Sequence, residues 1–403
     1  MGEGVDSIFS PFLKTAEQAF RDQVSAGVEV PSTGQTPYDF LNLFLDPAKI
    51  DGVAAYGAGR RVVGSLRRKE PLRLDEVRHV DELIDSVQVN GNPEKLLQLK
   101  EPITDPYTLA TGVQNETSKD TKELTFEILR EIVIPEAKSI APYVDYYQFD
   151  APRYSSISAR PDYLAEIFEE LRSELDKPII LHVCGDTSRI FEELVRFKAD
   201  VLSLDFTLTP KLIEVAARKN YDQTLGVGVT KTEPRVESVK EIRTLVEEVC
   251  RKVGEDRISF VHPSCGQRNI PLSAAYQKDV NITLARDEIF YGDSKLKSEI
   301  ATRSERMRPS AYDPQGKFKI LVDKDLGQIV VSLVDYQNSP KRKIRGNYAD
   351  KILHKVLSDG LLSGDERGML HLGYVALELG KAETALHNGL DYRQDQPLLL
   401  QRG

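Results

Sequence analysis

Residues 179–190 read IILHVCGDTSRI, and this stretch decides the fold. A run of Ile, Ile, Leu and Val that looks buried carries a histidine and a cysteine two positions apart. It then stops at Gly-Asp-Thr. Side chains on a strand alternate between two faces, so His182 and Cys184 share one face and Val183 takes the other. A short apolar run of this kind reads as a strand of a parallel sheet covered on both sides. An imidazole and a thiol side by side at a strand end are good zinc ligands, though two ligands do not make a site.

Similar runs lie on either side. AGVEV (26–30), LLQLKEPIT (96–104), VDYYQFD (144–150), KPIILHVC (177–184), ADVLSLDF (199–206), QTLGVGVT (223–230) and RISFVHP (257–263) all read as buried parallel strands. Helical patterns separate them, among them TKELTFEILREIVIPEAKSIA, PDYLAEIFEELRSEL, TSRIFEELVRFK, TPKLIEVAARK and VESVKEIRTLVEEVCRKV. Strand and helix in alternation predict an α/β chain whose βαβ units close into a TIM (β/α)8-type barrel. Only seven strand candidates can be read, so the first barrel strand is expected to be missing or irregular. VAAYGAGRRVVGSL (53–66) reads as an inserted hairpin turning at GAG.

Composition narrows the function classes. The chain has 403 residues and a formal net charge of -9, and no long basic tract stands out. That gives no electrostatic footprint for nucleic acid or an anionic membrane surface. No run of apolar residues is long enough to span a bilayer, and MGEGVDSIFS lacks the regions of a signal peptide. Three cysteines cannot build a disulfide framework, so a cytoplasmic, reducing location is expected.

Polar residues collect at the C-terminal ends of the predicted strands, where an α/β barrel keeps its chemistry. Asp150 ends YYQFD, Asp205 ends LSLD, and Cys265 follows FVHP. His182, Cys184, Asp205 and Cys265 thus come from three strand ends that a barrel brings around one opening. Two thiolates, an imidazole and a carboxylate suit zinc by softness and charge. Blander roles compete. Asp205 or Thr209 would serve as a helix cap, and Cys250 in LVEEVCRKV reads as core. His262 reads as either an alternative ligand or a partner behind one. His79, His354, His371 and His387 read as surface or packing residues.

HVCGDTSRIFEELVRFKADVLSLDF resembles the zinc-binding segment of the catalytic barrel of cobalamin-independent methionine synthase, in the uroporphyrinogen decarboxylase-like superfamily. It is closest to the short archaeal and anaerobe homologues that take a methyl group from a corrinoid instead of folate. The likeness runs through STGQTPYDFLNLF, KEPITDPYTLA, YYQFDAPRYS, LGVGVTKTEPRVESVKEI and HPSCGQRNIPLSAAYQK, in the family's order. The resemblance implies a cytoplasmic, zinc-dependent S-methyltransferase that moves a methyl group from a methyl-corrinoid such as methylcobalamin, or from a corrinoid protein, to homocysteine, giving methionine. It implies His182, Cys184, Asp205 and Cys265 as the metal set. It implies Asp150 as the partner of the substrate amino group, with Gln35 and Asp39 also at the substrate.

There are departures. Asp205 stands where the family has Glu, one methylene longer, and Ala151 replaces the Glu of Q-x-D-E-P. The family's N-terminal Gly-Ser strand end has no counterpart, and no D-x-H-x-x-G corrinoid motif occurs, so a corrinoid would arrive from outside. Another thiol acceptor such as coenzyme M, or a non-catalytic binding protein on the same barrel, is the alternative.

Residues 1–295 are expected to form the barrel and 296–316 a charged linker. Residues 317–403 are expected to form a small α+β domain resembling one found on archaeal pterin- and corrinoid-linked proteins. KFKILVDKDLGQIVVSLVDY reads as a hairpin with a turn near KDLG, followed by two helices. The SPKRKIRG loop (339–346) is the strongest local basic patch, either solvated or a docking surface.

Overall fold

The computed structural model describes residues 6–34, 40–56, 59–84, 97–156, 161–218, 220–233, 235–267, 270, 272–291, 308–312, 318–323 and 328–333. Its strands are β1 (Ile50–Tyr56), β2 (Gly59–Arg68), β3 (Lys100–Thr104), β4 (Gln114–Asn115), β5 (Tyr146–Asp150), β6 (Ile179–Val183), β7 (Val201–Asp205), β8 (Thr224–Thr230), β9 (Ile258–Pro263), β10 (Arg308–Tyr312), β11 (Phe318–Asp323) and β12 (Gln328–Leu333). Six of them form one sheet in the order β3-β5-β6-β7-β8-β9, and every pair is parallel. A doubly wound sheet reverses its order at a switch point. This sheet never does, so the chain advances one strand at a time in one direction.

The sheet is strongly curled. Neighbouring strands lie about 4.8 Å apart, so in a flat sheet β5 and β9 would be separated by roughly 19 Å. Yet Tyr146 on β5 and Phe260 on β9 meet edge to face with ring centroids 5.5 Å apart. Side chains on the concave face therefore converge. The alternation is clean. Tyr147, Phe149, Leu181, Val183, Leu202, Leu204, Leu225 and Val227 are buried on the convex face. Phe149 meets Phe168 of the helix Leu164–Glu174 there, ring centroids 6.2 Å apart. Burying each such side chain is worth about 1.5–3 kcal/mol. The concave face carries Gln148, Asp150, His182, Ser203 and Asp205 instead, and this polar lining is the unusual feature of the molecule.

Six of the seven expected strands are present. The exception is AGVEV, which turns at Ala26 and Gly27 and then bends. Gly27 has φ 87°, off the strand region. The carbonyls of Glu29 and Pro31 still accept from the amides of Gln98 and Lys100, at 3.1 Å each. Pro31 has no N–H to return the bond, so only one side of a ladder forms.

Local sequence explains the other elements. The helix Val239–Val253 opens on a capping box. Glu241 N donates to Ser238 Oγ at 3.3 Å and Ser238 N to Glu241 Oε2 at 2.8 Å, a motif worth about 1 kcal/mol. The segment 121–140 is helical throughout but widens to a π-turn over Leu129–Val133. Pro135 would clash with the carbonyl of Glu131 in an ordinary helix, and the wide turn absorbs it. TSRIFEELVRFK yields only the short helix Phe191–Leu194. The expected hairpin is present, with β1 antiparallel to β2.

A buried ionic cluster ties β2 and the loop after it to β3 and the helix Ile134–Ile140. Arg73 and Glu101 are fully buried, with Arg73 Nε 3.1 Å from Glu101 Oε1. Arg73 Nη2 donates to Thr33 Oγ1 at 2.6 Å, and Arg68 Nη1 reaches Glu136 Oε2 at 2.5 Å. No described helix is long and apolar enough to cross a membrane.

Further along the chain, β10, β11 and β12 form an antiparallel sheet in that order. The hairpin read in KFKILVDKDLGQIVVSLVDY is thus present, flanked by a strand that was not anticipated. The two helices and the basic loop expected after it lie outside the described residues.

Candidate metal centre

β6 ends at Val183, and Cys184 follows directly. The chain then turns at Gly185, whose φ is 90°. That φ favours glycine, and a Cβ there would also crowd the Ser155 side chain, 2.7 Å from its Oγ. Asp186 Oδ1 closes the turn by accepting from Ser188 N at 2.9 Å. This is the structural reason that the strand stops at Gly-Asp-Thr. On the far wall β9 ends at Pro263. Ser264 N donates to the carbonyl of Thr230 at 2.9 Å, which sets Cys265 at the rim.

The ligating atoms of His182, Cys184 and Cys265 lie within 4.8 Å of one another. His182 is 7% exposed, and both cysteines are half-buried. Ligands of a tetrahedral zinc, with bond lengths near 2.0–2.3 Å, stand about 3.5–4 Å apart. One imidazole and two thiols this close fit that ion with little rearrangement.

Asp205 stands outside this group of three. It ends β7 on the same concave face, and its Oδ1 accepts from Thr207 N at 2.9 Å and Thr207 Oγ1 at 2.7 Å. One oxygen thus serves the turn that follows. Asp150 is the register partner of His182, and its Oδ1 accepts from Gln148 Nε2 at 2.7 Å. Gln148 Oε1 in turn accepts from Lys100 Nζ at 2.7 Å. Gln35 and Asp39 lie outside the described residues.

Charge is concentrated here. Cys184 donates to the sulfur of Cys265, so the pair shares one proton. The bond lowers Cys265 to about 4 against the opposing effect of burial, with His182 adding to the fall, and it raises Cys184 correspondingly. Burial works against a charge on His182, but the hydrogen bond to Cys265 and the nearness of Asp150 outweigh it and raise the imidazole. Burial raises both Asp150 and Asp205. An anionic sulfur facing an imidazole at the mouth of a curled sheet is ready to exchange protons for a divalent cation.

The other candidates fall away. Cys250 packs half-buried against the core. His79 Nε2 sits 3.3 Å from Glu17 Oε2. His354, His371 and His387 lie outside the described residues. His262 is not one of the three converging residues. Its Nε2 lies 2.9 Å from Ser203 Oγ, which lies 2.9 Å from His182 Nδ1. Ser203 was not singled out from sequence, although its place two residues before Asp205 puts it on the same face.

Residues 160–286, which contain His182, Cys184, Asp205 and Cys265, match the family described as cobalamin-independent synthase, catalytic domain. This segment carries that family's catalytic-domain pattern. Residues 312–395 match a second family, described as PterinBD-DUF4346. A methionine synthase of Methanocaldococcus jannaschii is 26% identical over 294 residues, covering 70% of this chain and 90% of the relative. One from Methanothermobacter thermautotrophicus is 29% identical over 296 residues, covering 71% and 93%. Among solved structures, a B12-independent methionine synthase from Shewanella sp. W3-18-1 in complex with selenomethionine superposes with a TM-score of 0.61. It shows 17% identity and covers 71% of this chain and 90% of that one. The two archaeal relatives are named methionine synthases, and the solved structure speaks for the fold alone.

Proposed function

We propose that this protein is a zinc-dependent S-methyltransferase that methylates the thiol of homocysteine to give methionine. The convergence of His182, Cys184 and Cys265 at the C-terminal ends of β6 and β9 carries the reading. The methionine synthase relatives favour homocysteine over other thiols. The curled parallel sheet supports closure into a (β/α)8 barrel, with AGVEV as an irregular part of its wall.

Zinc, when bound, supplies the Lewis acidity that keeps a substrate thiol as thiolate at neutral pH. The protein groups do the rest. Cys184, Cys265 and His182 Nε2 would hold the ion, the two cysteines giving up the proton they share. Asp205 would serve as a displaceable fourth donor, because one of its oxygens is engaged by Thr207 and its reach is short. Asp150, held by Gln148, receives the substrate ammonium group. The substrate sulfur would then attack an electrophilic methyl group in line, the bond from that methyl group to its donor breaking as the sulfur–carbon bond forms. Thiols this close need a reducing compartment to stay unpaired, in keeping with a cytoplasmic location.

The donor part of the reading rests on chemistry alone. A methyl group on an uncharged amine leaves poorly, whereas methyl-cobalt gives it up readily, so the donor we favour is a methyl-corrinoid, free or on a separate protein. Residues 317–403 are read as a separate domain that docks the donor. The test is thiol-dependent loss of methylcobalamin absorbance, with homocysteine and coenzyme M in parallel arms and methionine measured as product. Homocysteine-specific turnover supports the proposal. Turnover with coenzyme M alone moves the acceptor, and no methyl transfer to either thiol from any donor refutes it.

A further inference from the structure

We infer that Ser203 and His262 form a relay that presents His182 to the metal, and that both are positioning residues of this centre. The inference rests on the zinc reading above and adds two residues to it. The directions of the hydrogen bonds are assigned from the His262 end. The ring of His262 is hydrogen-bonded to two carbonyls, those of Pro263 and Gly226; the relay places the hydrogen on Nδ1, which lies 2.6 Å from the carbonyl oxygen of Pro263. In the neutral ring Nε2 is then an acceptor. Ser203 Oγ, 2.9 Å away, donates its hydrogen to it. With that hydrogen committed, Ser203 Oγ has only lone pairs left for His182 Nδ1, also at 2.9 Å, and Nδ1 must donate. The outcome is a His182 ring whose hydrogen sits on Nδ1 and whose Nε2 is left for the cation.

The backbone is shaped for this chain of bonds. Ser203 is on β7 and His262 on β9, so the bond between them crosses β8. It crosses at Gly226, the register partner of both Ser203 and Phe260. A Cβ at Gly226 would lie 3.0 Å from His262 Nε2 and 3.2 Å from Ser203 Cα. The one strand between the two partners therefore carries no side chain where they meet. An imidazole that ligates a metal almost always donates its other N–H to a fixed acceptor, and loss of that acceptor costs about 10–100-fold in metal affinity.

The test compares zinc dissociation constants, by chelator competition, for the wild-type full chain, Ser203→Ala, Ser203→Thr and His262→Leu. Visible spectra of the cobalt(II)-substituted proteins are recorded alongside. Ser203→Ala and His262→Leu are expected to bind zinc about 10–100-fold more weakly with shifted cobalt bands, and Ser203→Thr to keep wild-type behaviour. A purely structural role would lower thermal stability without moving the cobalt spectrum. Nitrogen-15 spectra of histidine-labelled, metal-free wild-type protein supply a readout that needs no variant, with His262 expected as the Nδ1–H tautomer. Tight zinc binding by the wild type with unchanged affinity and spectrum in Ser203→Ala overturns the relay alone, as does an Nε2–H tautomer at His262. A wild type that binds no zinc overturns the metal reading beneath it.

Discussion

His182 on β6 and His262 on β9 meet edge to face, with ring centroids 6.0 Å apart. Two strands separate theirs, a spacing of roughly 14 Å in a flat sheet. Only a sheet rolled toward its concave face brings them together, and the same roll gathers Cys184 and Cys265. Fold and metal centre are therefore one geometric fact, and the first expectation is about the metal. Purified protein should hold about one zinc per chain, and Cys184→Ala and Cys265→Ala should each lose it, as read by elemental analysis.

Asp205 should behave differently from the cysteines. Its carboxylate is partly engaged by Thr207 and it stands outside the group of converging ligands. Asp205→Ala should keep zinc with weakened affinity, and Asp205→Glu, with one more methylene of reach, should bind more tightly than wild type. Chelator competition measures both. Complete loss of zinc in Asp205→Ala would make it an equal ligand and not a displaceable one.

Much of this was legible in the sequence, and the failures have physical causes. Apolar runs bounded by turn residues marked six strands, because a sheet covered on its convex face needs Leu, Val, Ile and Phe there. AGVEV has the same composition, but Gly27 and Pro31 deny it the torsion and the donor that a ladder needs. His182, Cys184 and Cys265 stood out because such side chains are rare at strand ends. Ser203 did not, since serine is common and its role depends on what lies across Gly226, which no local pattern records. Of the two residues read as caps for the helix Pro210–Arg218, Thr209 takes the role, its Oγ1 accepting from Lys211 N at 3.2 Å, while Asp205 closes the turn at Thr207.

Asp105 sets a pH dependence away from the metal. It is fully buried at the N-terminus of the helix Pro106–Gly112, where its carboxylate accepts from Tyr107 N and Thr108 N. Burial raises it from 3.8 to about 7 despite those bonds. A carboxyl raised in the folded state favours folding while it is protonated. Its contribution is full below about pH 4 and is lost as pH rises through about 7. The loss is at most about 4 kcal/mol. Asp105→Asn keeps a capping oxygen and cannot ionise, so its urea-unfolding stability should fall less than wild type's between those two pH values.

The buried Arg73–Glu101 pair should tolerate loss of both partners better than loss of one. Arg73→Met leaves the Glu101 carboxylate with Thr33 as its remaining side-chain partner inside the protein, at a cost of about 3–5 kcal/mol. The double variant Arg73→Met, Glu101→Leu should recover much of that. Urea midpoints of the single and double variants decide it, and equal destabilisation in both would contradict the desolvation account.

Gly228 tests the tight seam between β7 and the rim loop. A Cβ there would lie 2.7 Å from the carbonyl oxygen of Leu204 and 2.8 Å from Ser264 Cα, both backbone atoms that cannot swing aside. Gly228→Ala should lose about 1–3 kcal/mol by overpacking and, through Ser264, displace Cys265. A lower melting temperature together with weaker zinc binding is expected.

X-ray absorption at the zinc edge, on metal-loaded protein with and without homocysteine, bears most directly on the central claim. Two sulfurs and an imidazole around the zinc, rising to three sulfurs when homocysteine is added, is the predicted result. A zinc surrounded only by oxygen and nitrogen, or a sulfur count that homocysteine leaves unchanged, would contradict it.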